Sequence, residues 1–244
     1  MDGSFPGIAL ALGERHAGGP RTLTSAVFER LRADILTTKL SPGQKLHIAG
    51  LAKQFAVSLA AVREALSRLV ADGLVQASDQ RGFRVCPVSR ADLEDVTRTR
   101  IEIEGLALRK SIEYGDADWL ASVEQAHTTL AAIPYRDPDN QAQHNELWVG
   151  PHRHFHRVLV SACGSTWLLG FRDVLYEQSE RYRRLSIVAE EGIRDVPAEH
   201  ARIVEAVLRR DADAAVAAVT QHFTLTMRHV RFGSPEMGTP EAPA

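Results

Sequence analysis

Cysteine is the scarcest informative residue in this chain. Cys86 and Cys163 are the only two in 244 residues, too few for a disulfide framework and without the neighbours of a metal-thiolate or CxxC motif. Both read as reduced structural residues. Long apolar runs are missing too. The longest near the N-terminus, Ile8 to Leu12, has no basic flank and is too short for a signal peptide or a membrane span. A cytoplasmic protein with no membrane partner is the expectation. No HExxH, Walker A loop, GxGxxG or GxSxG elbow occurs, so the usual signatures of metalloprotease, nucleotide and hydrolase chemistry are lacking. The chain does not read as an enzyme.

The net charge of -2 is unevenly spread. Residues 1 to 88 carry 11 Lys+Arg against 7 Asp+Glu, and the remainder carries 18 against 24. A small N-terminal unit of about +4 suits a polyanion, because neutralised phosphates release condensed counterions. Residues 1–20 and 233–244 are rich in Gly and Pro and read as disordered tails.

Between the tails, apolar spacing predicts two domains. In residues 21–88, helices are expected from Thr22 to Thr38, Ile48 to Phe55 and Leu59 to Asp72, followed by two short strands around a basic turn, Asp79 to Gly82. Three helices and a two-stranded wing make a winged helix-turn-helix, whose second turn helix enters the major groove of double-stranded DNA. Ser58 caps that helix and offers its N-terminus to a phosphate. Arg63 projects one turn later, Arg68 follows five residues on, and Arg81 tips the wing; these four are the candidate DNA-binding residues. Residues 89–232 show only helical periodicity, about six or seven helices, with Gly150-Pro151 expected to kink or divide one of them. The fold class is thus mainly α, a winged helix-turn-helix followed by an all-α bundle.

Histidines supply the second constellation. His152 and His156 are spaced i, i+4, one turn apart on one helix face, whereas His154 points away. His200 and His222 are each 11 residues from Asp211, where two helices turn, so in a helix hairpin they sit at one height. Four imidazoles can then converge on a transition metal, or they can simply be packed. Arg100 stands mid-helix among apolar neighbours, which requires a partner: a structural pair with Glu104, or the carboxylate of a ligand near the metal. Tyr182 and Arg183 are further candidates for that pocket, against the alternative of a surface basic cluster.

The run from Thr22 to Val85, with Pro42-Gly43, Leu51-Ala52, VSLAAVREAL, the Asp72-Gly73-Leu74 turn and RGFRV, resembles the DNA-binding domain of GntR-type transcription regulators. The remainder resembles the FadR-type C-terminal ligand-binding domain, FCD. The resemblance implies a homodimer built through the helical domains, a palindromic operator, and release or rearrangement on binding a small organic acid. It also implies a divalent metal held by an Asp and three His. The three His positions match His156, His200 and His222, but His152 stands where the Asp belongs, a departure that favours Zn or Ni over harder ions. Arg100 matches an arginine that meets the effector carboxylate. Leu59 departs from the arginine many members carry after Val-Ser, so the operator is expected to differ. Two stretches, Gly82 to Asp116 and Ser161 to Ser186, are similar to a narrower branch, glutarate-responsive carbon-starvation repressors. These imply a repressor relieved by a small dicarboxylate such as glutarate. The rival reading is a helical metalloenzyme acting on a small organic acid.

Overall fold

The computed structural model describes residues 22–78, 82–139, 145–185 and 194–230. Both expected tails and the wing tip with Arg81 lie outside these residues. The chain divides into two compact units, the first reaching Ser89 and the second beginning at Arg90.

In the first unit α1 spans Leu23–Leu36, opened by Thr22, whose Oγ1 accepts the amide of Ser25 at 3.1 Å. Helix α2 (Ile48–Phe55) and helix α3 (Leu59–Ala71) are joined by a turn in which Ala56 takes a left-handed conformation, φ 53°. A non-glycine residue there is strained by about 1 kcal/mol, and the tight break between the helices depends on it. Gly73, φ 68°, ends α3 at low steric cost. Val27, Leu31 and Ile35 of α1 meet Val62, Leu66 and Leu69 of α3 in one buried cluster.

The wing contains one strand more than the periodicity predicts. Strands β2 (Val75–Ser78) and β3 (Gly82–Val85) pair antiparallel, and β1 (Lys45–Leu46) adds to the free edge of β3, giving the order β1-β3-β2. Two residues are too few to show alternation. The register sets Lys45 opposite Arg84, and both are exposed.

The second unit contains six helices among the described residues: α4 (Arg90–Tyr114), α5 (Ala117–Ala131), α6 (Glu146–Leu159), α7 (Thr166–Leu185), α8 (Val196–Leu208) and α9 (Ala212–His229). Helices α4 and α9 run antiparallel. Arg90 at the start of α4 donates to the carbonyls of Met227 and Val230 at 3.1 and 2.8 Å, and Arg210 before α9 donates to those of Ile112 and Gly115, both at 2.8 Å. Each guanidinium thereby serves carbonyls at the C-terminal end of a helix. Pro151 does not divide α6, which continues through it. The carbonyl that loses its donor belongs to Leu147, near the helix start and 76% exposed, where water can replace the bond. No helix among the described residues is long and apolar enough to cross a membrane.

Candidate functional site

Helix α6 buries Trp148, His152, Phe155, His156 and Leu159, a stripe at spacings of three and four that carries two imidazoles into the bundle. His200 and His222 arrive from α8 and α9, their ring centres 4.7 Å apart. One potential ligand atom from each of the four lies within 4.8 Å of every other. A transition metal about 2.0 to 2.1 Å from each of four tetrahedral nitrogens sets them about 3.4 Å apart, so the widest pair needs to close by about 1.4 Å.

Burial first, and the neighbouring imidazoles second, push His152 and His156 well below the ordinary histidine pKa, and His200 is driven the same way by burial and by His222. Neutral imidazole is the form that ligates. His152 Nε2, both ring nitrogens of His156 and His200 Nε2 are buried without a hydrogen-bond partner. Buried nitrogens without a partner are costly in a protein interior, and a cation held among these rings would satisfy one on each.

Two further ring nitrogens are held from outside. His222 Nδ1 lies 2.7 Å from Glu199 Oε2, and Arg194 grips that carboxylate at 2.8 and 2.6 Å. Burial alone would raise the Glu199 carboxyl, but hydrogen bonds from Arg194 and His222 outweigh it and bring the pKa to about 2. Glu199 is therefore an anion at neutral pH, and it orients His222 with Nε2 free. Tyr176 Oη stands 3.3 Å from His152 Nδ1.

Beside the imidazoles lies a cavity lined by Arg100, Tyr135, Tyr176, Ser179, Glu180, Arg183 and Arg194 among others, with His152 and His222 in its wall. Its free volume of about 30 Å³ holds about two waters. Arg100 makes the structural pair with Glu104, its Nε donating at 2.6 Å, while Nη2 is buried without a partner. Arg183 is buried rather than part of a surface cluster. Glu180 takes its Nε and Nη2 at 3.0 and 2.5 Å, and Nη1 has no partner. Tyr182 does not line this cavity; its hydroxyl donates to Asp92 of α4, which makes it a tie between α4 and α7.

Arg172 is fully buried, within 3.5 Å of Glu104 and 3.0 Å of Asp173. Neither Arg172 nor Arg194 is prominent in the sequence, because Arg-Asp and an arginine before a proline-opened helix are ordinary surface patterns.

In the first unit Ser58 caps α3 as expected, its Oγ accepting the amide of Ala61 at 3.1 Å. Arg63 is exposed. Arg68 is differently engaged: its guanidinium sits 4.0 Å above the ring of Phe28 and reaches Ser25 of α1 at 3.5 Å. It lies about 140° around the helix from Arg63, so the two do not share a face.

A three-helix unit with a small antiparallel sheet and an exposed, capped second turn helix defines a DNA-binding transcription regulator. Residues 23–85 match the gntR family of bacterial regulatory proteins and residues 95–225 match the FCD domain; the chain belongs to the gntR family and carries an FCD domain. It is 40% identical over 211 residues, 86% of each chain, to the uncharacterised HTH-type transcriptional regulator BphR of Paraburkholderia xenovorans. It is 31% identical over 196 residues, 79% of this chain and 88% of the other, to the HTH-type transcriptional repressor GlaR of Escherichia coli. The solved structure of E. coli McbR/YncC shares the fold, with a TM-score of 0.67 at 20% identity over 86% of this chain and 97% of that one. The family is one of regulators, which removes the metalloenzyme reading.

Proposed function

We propose that the protein is a homodimeric repressor that leaves its operator when a small dicarboxylate of about glutarate size enters the helical unit beside a bound metal. The observation that carries this reading is the adjacency of two unsatisfied sets. Three of the four buried imidazoles, His152, His156 and His200, keep a ring nitrogen without a partner, and in the neighbouring cavity wall Arg100 Nη2, Arg183 Nη1 and Ser179 Oγ lack one as well. An all-nitrogen donor set suits Zn or Ni, with His152, His156, His200 and His222 as ligands. When bound, such an ion supplies a Lewis-acidic positive centre for a carboxylate oxygen.

The protein's own part is recognition. Arg100 and Arg183 present guanidinium donors suited to carboxylate, and Glu180 already occupies the Arg183 fork as an internal stand-in for that anion. An effector at Arg183 displaces Glu180, which also accepts from Arg184 Nε at 3.2 Å, while Arg184 holds Glu146 of α6 at 2.8 and 3.1 Å. A cavity with room for two waters must widen for a five-carbon acid, and this chain of ion pairs links widening to a shift of α7 against α6. Arg100 sits on α4, the helix that follows directly on the DNA-binding unit in sequence. On the DNA side, Ser58 and Arg63 on α3 meet phosphate and base edges, with Arg81 assigned to the wing.

The test is fluorescence anisotropy of the purified, untagged dimer on its own upstream intergenic DNA, titrated with glutarate and related acids at fixed salt. Specific binding weakened by one dicarboxylate supports the reading. Specific binding indifferent to every acid removes the effector, and absence of zinc or nickel on elemental analysis removes the metal.

A further inference from the structure

Leu59 is the first residue of α3, directly after the Ser58 cap, and it is 53% exposed. The apolar residues that hold the helix, Val62, Ala65, Leu66 and Leu69, are buried; Leu59, about 60° from Val62 and about 20° from Leu66 around the axis but in the first turn, is not buried with them. Leu59 lies one turn before Arg63 and about 40° from it around the helix. Ala60 beside it is exposed and small, so nothing bulky keeps this end of the helix from close approach. In a chain that binds DNA through a helix-turn-helix, the N-terminal residues of the second turn helix meet base edges in the major groove.

A leucine there cannot exchange hydrogen bonds with guanine O6 and N7, cytosine N4 or adenine N6 and N7. Pressed against those atoms it removes their water and returns nothing. The major-groove edge carries one apolar group, the C5-methyl of thymine. We propose that Leu59 reads a pyrimidine C5-methyl, thymine in an unmodified operator, and so specifies one T·A pair in each half-site beside the base that Arg63 contacts. This rests on α3 being the helix that enters the groove. Burying a methyl-sized contact is worth about 4-fold in affinity.

The experiment begins with selection of duplexes from a randomised library by the full-length protein. Each thymine of the selected half-site is then replaced singly by deoxyuridine, which lacks only the methyl, and binding is followed by anisotropy at fixed salt. At one thymine per half-site the replacement should weaken binding about 3- to 10-fold, and Leu59→Ala should erase that difference while still selecting the base that depends on Arg63. A C·G pair at the same position should bind more tightly when its cytosine is 5-methylated, by a similar factor. Deoxyuridine without effect at every position overturns the proposal, as does an effect that persists in Leu59→Ala or a methylated cytosine that binds no better. Loss of the selected motif in Arg63→Ala checks the groove assignment separately: if both variants select the wild-type motif, α3 does not read the operator. Leu59 packs in no core, so circular dichroism of the alanine variant should match wild type.

Discussion

In the first unit the interior is apolar, and the sole buried charged side chain described there is Asp34, held by Arg30 at 3.0 Å. The groups proposed to meet DNA, Ser58, Leu59 and Arg63, are exposed at the start of α3. In the second unit the buried centre includes Arg100, Glu104, Arg172, Glu180, Arg183, Glu199 and four histidines. The first unit can fold on hydrophobic burial and present its reading surface to solvent. The second carries the cost of buried polar groups, and several of them keep a nitrogen or oxygen without a protein partner. A surface that must meet a large, hydrated partner keeps its polar groups wet, whereas a site for a small ion or acid gains strength from excluding water.

The widest separation between the units should come from the metal ligands. His156→Ala removes a side chain whose two nitrogens have no protein partner, and metal affinity should fall by more than about 100-fold, beyond the 10- to 100-fold of an outer-shell change. Elemental analysis of untagged protein and a competing chelator measure it; wild-type metal content in the variant would reduce the cluster to packing. Glu199→Gln keeps the shape but removes the charge behind His222, and should lower metal affinity about 10- to 100-fold.

Changes in the first unit should be smaller and should leave the metal alone. Arg63→Ala should cost on the order of 1 to 3 kcal/mol of operator discrimination with stability unchanged within about 0.5 kcal/mol, read by anisotropy and urea unfolding. Ser58→Ala should lower stability by about 1 kcal/mol through its lost cap. Arg68→Ala should show the reverse of Arg63: about 0.5 to 1 kcal/mol of stability lost with the Phe28 contact and unchanged sequence preference. A change in operator sequence caused by Arg68→Ala would return that residue to the reading face.

Much of this was legible because helices are periodic. The i, i+4 pair His152 and His156 lies on one face of any α-helix, and the equal distance of His200 and His222 from Asp211 places them level in any hairpin. The α2-α3 break and Gly73 were likewise readable from local chemistry. Strand β1 was not, since its partner β3 is far away in sequence and two residues carry no pattern. Arg68 is a DNA-binding candidate by charge and position, and no local pattern shows that its guanidinium lies over Phe28 of α1. Tyr182 was grouped with Arg183 by adjacency, although neighbours on a helix diverge by about 100°.

The sequence by itself determined the two-part order, the second helix of the turn and the four imidazoles, since each follows from spacing along one helix or across one turn. Only the tertiary structure decided which arginines are satisfied and which keep a free donor. Glu104 accepts from Arg100 on its own helix, at 2.6 Å, and has Arg172 of α7 within 3.5 Å. Glu180 fills the Arg183 fork, and Glu199 is held by Arg194. Arginine and glutamate side chains are long enough to choose among partners on several helices. That choice is made by the packing of helices distant in sequence, which sets where each charge can find a counterion once water is gone.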